Sequence, residues 1–213
     1  TGLLLLLIGL TIMFLAGVSL WYFAAFLISI IPILSIISYS RNTSWQLLTN
    51  YQFKRIDTFL DPSLDPLGSG YHITQSKIAL GSGGLTGKGF MQGTQSQLNF
   101  LPEKHTDFIF TTIAEEFGFF GTIGLLIIYG TIIILCSISS LFNNYKFGAI
   151  MTMGLTITFF SYFGMNIAMV MGLGPVKGVP LPLVSYGGSA LISILIAFGL
   201  IQSAHIHRLR IIK

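Results

Sequence analysis

Long apolar runs dominate the chain, separated by brief polar connections and by one extended polar segment. A helix rises about 1.5 Å per residue, so roughly 20 apolar residues cross a hydrocarbon core of about 30 Å. By that measure five stretches predict spans: a short one at 2–18, then 20–39 with Pro32 as a kink, 117–141, 147–172 and 185–204. The first two are joined only by Gly17-Val18-Ser19, and Trp21 and Tyr22 stand where an interfacial aromatic belt would place them. The runs are continuous rather than alternating, which predicts helices and not the strands of a barrel. The expected fold class is therefore all-α, a polytopic integral membrane protein forming a single membrane domain over 1–213.

Orientation follows from lysine and arginine in the short loops. The tail at 205–213 has three basic residues and no acid, which predicts a cytoplasmic tail. Threading back puts 143–146 on the cytoplasmic side, and 174–184 and the large loop at 40–106 on the extracytoplasmic side. That large loop holds six of the eleven basic residues, but loops this long translocate largely regardless of charge.

Composition narrows the classes further. Of 213 residues 53% are apolar and 8% charged, against roughly 25% charged in an average soluble domain. A soluble enzyme domain and a disordered chain are both excluded. Cys136 is the single cysteine, so there is no disulfide framework and no cysteine-rich metal site. The net charge of +4 forms no basic stripe once the spans are placed, which removes nucleic acid as a partner. Thr1 opens directly into leucines without a charged lead-in or a cleavage site, so no signal peptide is expected. The reading is a chain that begins within a membrane segment, a fragment or a C-terminal half.

All seven acidic residues, Asp57, Asp61, Asp65, Glu103, Asp107, Glu115 and Glu116, lie between positions 57 and 116, so any carboxylate chemistry must come from there. Asp61-Pro62 and Asp65-Pro66, followed by glycines, read as turns, and 71–80 as a short surface helix with Ile73, Ile78 and Leu80 against lipid or protein, with a binding role equally open to it. The stretch 81–89 (GSGGLTGKG) invites a phosphate reading but fails the Walker spacing and the dinucleotide fingerprint. A flexible turn stands beside a backbone nest in which Lys88 meets a lipid-linked phosphate.

The sharpest cluster is 101–110 (LPEKHTDFIF), running into Ala114-Glu115-Glu116-Phe117-Gly118. Asp107 suits a helix cap, and with Lys104, His105 and Glu103 beside it at a membrane boundary it equally suits a general base. Glu115, eight residues on, projects from nearly the same helix face. Charges at the centre of a span cost roughly 2.5–3.5 kcal/mol, so these carboxylates are expected to face a cavity or a basic partner. Gly118, Gly121 and Gly124 read as a stripe for close approach of a neighbouring helix. The segment 172–189 is too apolar for an exposed loop and is expected to dip into the membrane and line a cavity. There Lys177 either pairs with Asp107 or a phosphate, or is solvated. His205 and His207 read as interfacial tail residues.

Five stretches, 59–75 (FLDPSLDPLGSGYHITQ), 93–103 (GTQSQLNFLPE), 104–110 (KHTDFIF), 114–118 (AEEFG) and 179–189 (VPLPLVSYGGS), carry a resemblance. In their order and wording the chain resembles the C-terminal half of the shape, elongation, division and sporulation (SEDS) family of bacterial peptidoglycan polymerases, and within it the elongation branch more than the division branch. The resemblance implies a glycosyltransferase of the cytoplasmic (inner) membrane that polymerises lipid II on the extracytoplasmic side during cell-wall elongation and rod-shape maintenance. It implies Asp107 as catalytic base, deprotonating the acceptor sugar 4-hydroxyl for an inverting attack on the donor. Lys88, Lys104 and Arg55 are the candidates for stabilising the leaving diphosphate, and His105, Glu115 and Lys177 complete the substrate-binding set. A divalent cation, Mg or Mn, could accompany the diphosphate, although no ligand set is visible. The implied partners are a class B penicillin-binding protein, inner-membrane lipids and the elongation machinery. Two other classes stay open: a lipid II transporter (flippase), which would not need Asp107 as a base, and an inactive scaffold for the penicillin-binding protein, which would tolerate its loss.

Overall fold

The computed structural model describes residues 2–41, 46–61, 63, 65, 68–97, 106–175 and 178–208. Every regular element among them is a helix: α1 (Gly2–Leu15), α2 (Leu20–Tyr39), α3 (Asn50–Leu60), α4 (Ser69–Ser82), the short α5 (Thr94–Gln97), α6 (Ile109–Leu141), α7 (Lys146–Val170) and α8 (Gly188–Ile206). Four of these, α2, α6, α7 and α8, are long and apolar enough to cross a membrane. The run at 2–18, expected as a short fifth span, forms a helix of 14 residues, about 21 Å long at the helical rise. Helix α2 has the expected bounds and runs through Pro32.

Three departures from expectation have local causes. Helix α3 lies in the large loop, ahead of the expected turns, where no helix is predicted; the Gln52 side chain accepts from the Thr49 backbone N–H at 2.9 Å, the returning half of a capping box. Helix α6 starts at Ile109, well before the expected span start at 117, because its first turns are covered by protein rather than exposed to lipid. The glycine stripe is not a helix-packing face. Gly118 stands at φ 65°, ψ −160° and breaks α6, and a Cβ there would lie 2.2 Å from the Gly87 nitrogen, whereas one on Gly124 would meet nothing within 4 Å.

The core lies where α4, α6 and α7 meet under the 171–187 loop. Phe108, Phe110, Tyr129, Phe159, Met169, Val170 and Leu181 are buried together, with Leu80 of α4 packed against them. Tyr129 stacks on Phe163 at 4.3 Å and on Phe159 at 5.6 Å, and its hydroxyl donates to the Pro182 carbonyl. One tyrosine thus joins two spans and the loop above them. Ser76 of α4, fully buried, donates to the Val170 carbonyl at 2.8 Å and shares a hydrogen bond with Thr111 at 3.0 Å. Helix α4 is therefore part of the bundle on one face, with Ile73 buried and Ile78 exposed on the other.

The polar ties fall at two opposite ends. At one, Ser139 meets His205 at 2.9 Å and the Asn143 amide donates to the Ala204 carbonyl at 3.2 Å, fastening the α6–α7 turn to the end of α8. At the other, α4, residues 106–108 and the 171–187 loop converge. Val179 and Leu181 are almost fully buried, and the Leu181 carbonyl accepts from the Ser185 N–H at 3.0 Å, so this part of the loop packs into the protein. Beside it Pro180–Leu183, α7 and α8 line a partly open apolar cavity of about 340 Å³.

Candidate active site

Asp107 lies in the turn that leads into α6, in the converging end, and is 8% exposed. Its main chain is held from two sides. Asn166, fully buried on α7, donates through Nδ2 to the Asp107 carbonyl at 2.8 Å and to the Val179 carbonyl at 2.7 Å. Ser185 donates to the Thr106 carbonyl and accepts from the Leu181 N–H at 2.7 Å. Two consecutive carbonyls ahead of the helix are thus clamped to α7 and to the loop. On the carboxylate side the loop comes close because residue 178 is glycine: a Cβ there would sit 3.2 Å from Asp107 Oδ2. The His72 ring of α4 lies 6.1 Å from the neighbouring Phe108 ring, and its Nδ1 is buried without a partner among the described residues.

Glu115 has a different setting. It is fully buried, and Oε1 accepts from Lys88 Nζ at 2.8 Å, Thr94 Oγ1 at 3.1 Å and the Gln95 N–H at 2.9 Å. Lys88 also donates to Thr94 at 2.8 Å, and its side chain is 27% exposed. Around this pair the 83–89 loop is spliced onto the broken helix. Lys88 N–H donates to the Glu115 carbonyl and Gly89 N–H to the Glu116 carbonyl, both at 3.0 Å, while Phe119 and Phe120 N–H groups donate to the Gly84 and Leu85 carbonyls at 2.9 and 3.2 Å. The Gly118 break frees those helix groups, and the glycine-rich loop takes them up. Three of its N–H groups are committed to protein carbonyls, those of Lys88 and Gly89 to the helix and that of Gly87 to Gly83 at 2.9 Å.

Arg55 sits on α3 with its guanidinium 4.5 Å above the Tyr51 ring, donating to the Tyr51 hydroxyl. Lys104, His105 and Lys177 lie outside the described residues, and so does the expected pairing of Lys177 with Asp107. No group of three His, Cys, Asp or Glu side chains that could hold a metal occurs among the described residues. Asn166 was missed by sequence reasoning although a signal existed: it is the only amide side chain within the apolar run 147–172. A polar side chain in a span needs a partner inside the protein.

An all-helical bundle with four membrane-length helices and a carboxylate clamped at one end defines a multi-pass membrane protein with a candidate acid–base site. The chain belongs to the FtsW/RodA/SpoVE family, described as cell cycle proteins, whose profile matches residues 1–210. It is 47% identical over 208 residues, 98% of this chain and 55% of the relative, to the peptidoglycan glycosyltransferase MrdB of Escherichia coli (strain K12). It is 41% identical over 169 residues, 77% of this chain and 38% of the relative, to the peptidoglycan glycosyltransferase RodA of Treponema pallidum (strain Nichols). Among solved structures, a chain from work on the coordination of polymerization and crosslinking by a peptidoglycan synthase complex superposes with a TM-score of 0.76 at 27% identity, covering 98% of this chain and 56% of that one. The chain spans about half the length of the Escherichia coli relative.

Proposed function

We propose that this chain carries the catalytic base of a peptidoglycan glycosyltransferase that polymerises lipid II. The observation that carries the reading is Asp107: a nearly buried carboxylate at the end of a membrane bundle, held by main-chain clamps, in a chain similar to named peptidoglycan glycosyltransferases. In the proposed step an Asp107 carboxylate oxygen takes the proton of the acceptor sugar 4-hydroxyl. The hydroxyl oxygen then bonds to the donor anomeric carbon from the face opposite the diphosphate. The bond from that carbon to the diphosphate oxygen breaks, the lipid diphosphate leaves with the electron pair, and the configuration inverts. A positioned base of this kind contributes about 10²–10⁴-fold.

Cations are needed where charge develops on the leaving group. Lys104, His105, Lys177 and Arg55 are the proposed contributors. Lys88 and Glu115 are proposed to act one step removed, by fixing the 83–97 segment against α6. The described residues offer no cluster to hold a divalent cation, so no step is routed through one. The reaction is assigned to the extracytoplasmic side of the inner membrane, with a class B penicillin-binding protein as partner in crosslinking.

The test is lipid II polymerisation in proteoliposomes, using the native protein with every segment its gene encodes and its penicillin-binding partner. The parent is expected to make glycan strands and Asp107→Ala none. Equal product from both would contradict the reading and favour the transporter or scaffold alternatives.

A further inference from the structure

The geometry points to Asn166 as a positioning residue for the reaction, an inference that rests on the assignment of Asp107 as base. Three observations carry it. First, Asn166 is fully exclusive of solvent and spends both hydrogens of one amide on two main-chain carbonyls from different parts of the chain, Asp107 at 2.8 Å and Val179 at 2.7 Å. Second, those carbonyls flank the site: one belongs to the residue bearing the base, the other to the segment whose Gly178 backs onto the carboxylate. Third, Asn166 Oδ1 is buried and has no partner among the described residues. The hydrogen bonding described for this side chain thus consists of the two donations at the site.

The amide orientation is forced. Turning it over would set Oδ1 against two carbonyl oxygens, acceptor against acceptor. The same logic makes aspartate the discriminating substitution despite its matching shape. Ionised, it repels both carbonyls, and protonated it can donate to only one. Serine keeps a single donor and so can hold at most one of the two. Ser185 completes the clamp on the adjacent Thr106 carbonyl, so releasing Asn166 leaves the turn pinned at 106 and free to shift at 107. A displacement of about 1 Å at a reacting group can cost on the order of a hundredfold in rate.

The experiment compares Asn166→Asp, Asn166→Ser and Ser140→Ala with the parent and Asp107→Ala, in the native protein with its partner, reading kcat, KM for lipid II and the thermal midpoint. Ser140 provides the matched control, because it also donates from a buried position to a main-chain carbonyl, Ala149 at 2.7 Å, but at the opposite end of the bundle. Expected are a kcat loss on the order of a hundredfold for Asn166→Asp and a smaller loss for Asn166→Ser, each with KM within about twofold. Ser140→Ala should lower the midpoint and leave kcat alone. Should Asn166→Asp fail to fold, the kcat of Asn166→Ser decides. Parental kcat in the folded serine variant, with Asp107→Ala inactive, would overturn the positioning role and leave the polymerase reading standing. Full activity in Asp107→Ala would overturn both.

Discussion

Asp107 and Glu115 stand eight residues apart on one approach to one helix, and a residue count makes them near equivalents. Their surroundings make them opposites. Glu115 is enclosed: its Oε1 takes three donors, the Lys88 ammonium among them, and the pair joins a glycine-rich loop to the break in α6. Asp107 is distinguished by its main chain, with the Thr106 and Asp107 carbonyls held and a glycine facing the carboxylate. One acid is used for its charge balance and the other is set in place.

The largest effect expected is on chemistry. Asp107→Asn keeps shape and volume but cannot accept a proton, so polymerisation should fall by about 10²–10⁴-fold while the thermal midpoint stays close to the parent. Next comes Glu115→Ala, which strands the Lys88 ammonium in a largely covered site. Breaking a buried pair from one side costs about 3–5 kcal/mol, visible as a lowered unfolding midpoint in detergent. Lys88→Ala should behave alike, with KM for lipid II unchanged in whatever fraction remains folded. A specific rise in KM would instead return Lys88 to the substrate.

Gly118→Ala is expected to cost about 1–3 kcal/mol from its backbone conformation, in addition to the clash with Gly87. Faster amide hydrogen exchange at Lys88 and Gly89 would report the splice opening, and Gly124→Ala should leave both amides protected. The smallest effect belongs to an exposed carboxylate that neither region uses. Ser63 donates to Asp61 through its hydroxyl at 2.6 Å and its N–H at 3.0 Å, which lowers the Asp61 pKa below the ordinary carboxylate value. Its small contribution is present above that ordinary value and is lost as pH falls through the lowered one. Ser63→Ala should therefore move the Asp61 titration upward, as followed by carboxyl NMR shifts.

Much of the fold is legible because the physics of spanning is simple. Long apolar runs fix α2, α6, α7 and α8, and the bounds of α2 coincide at both ends with its run. The failures occur where a tertiary partner changes the meaning of a residue. Glu115 and Glu116 looked like the border of a span, yet α6 continues through them because Lys88 and the glycine loop supply what lipid cannot. Gly118 suggested a packing stripe, and only the loop lying across it reveals a break. Asp107 could be singled out from its charged company. Asn166 and Ser185 could not be assigned to its clamp, because the chain brings them to the Asp107 and Thr106 carbonyls from 59 and 79 residues away.

The central claim is that these two carboxylates divide chemistry from architecture, and one paired measurement tests it: kcat for lipid II polymerisation and unfolding midpoint, on the same preparations of Asp107→Asn and Glu115→Ala. The account predicts a crossed result, with activity lost and midpoint kept for Asp107→Asn, and a lowered midpoint with parental kcat per folded molecule for Glu115→Ala. Parental polymerisation by folded Asp107→Asn would contradict it.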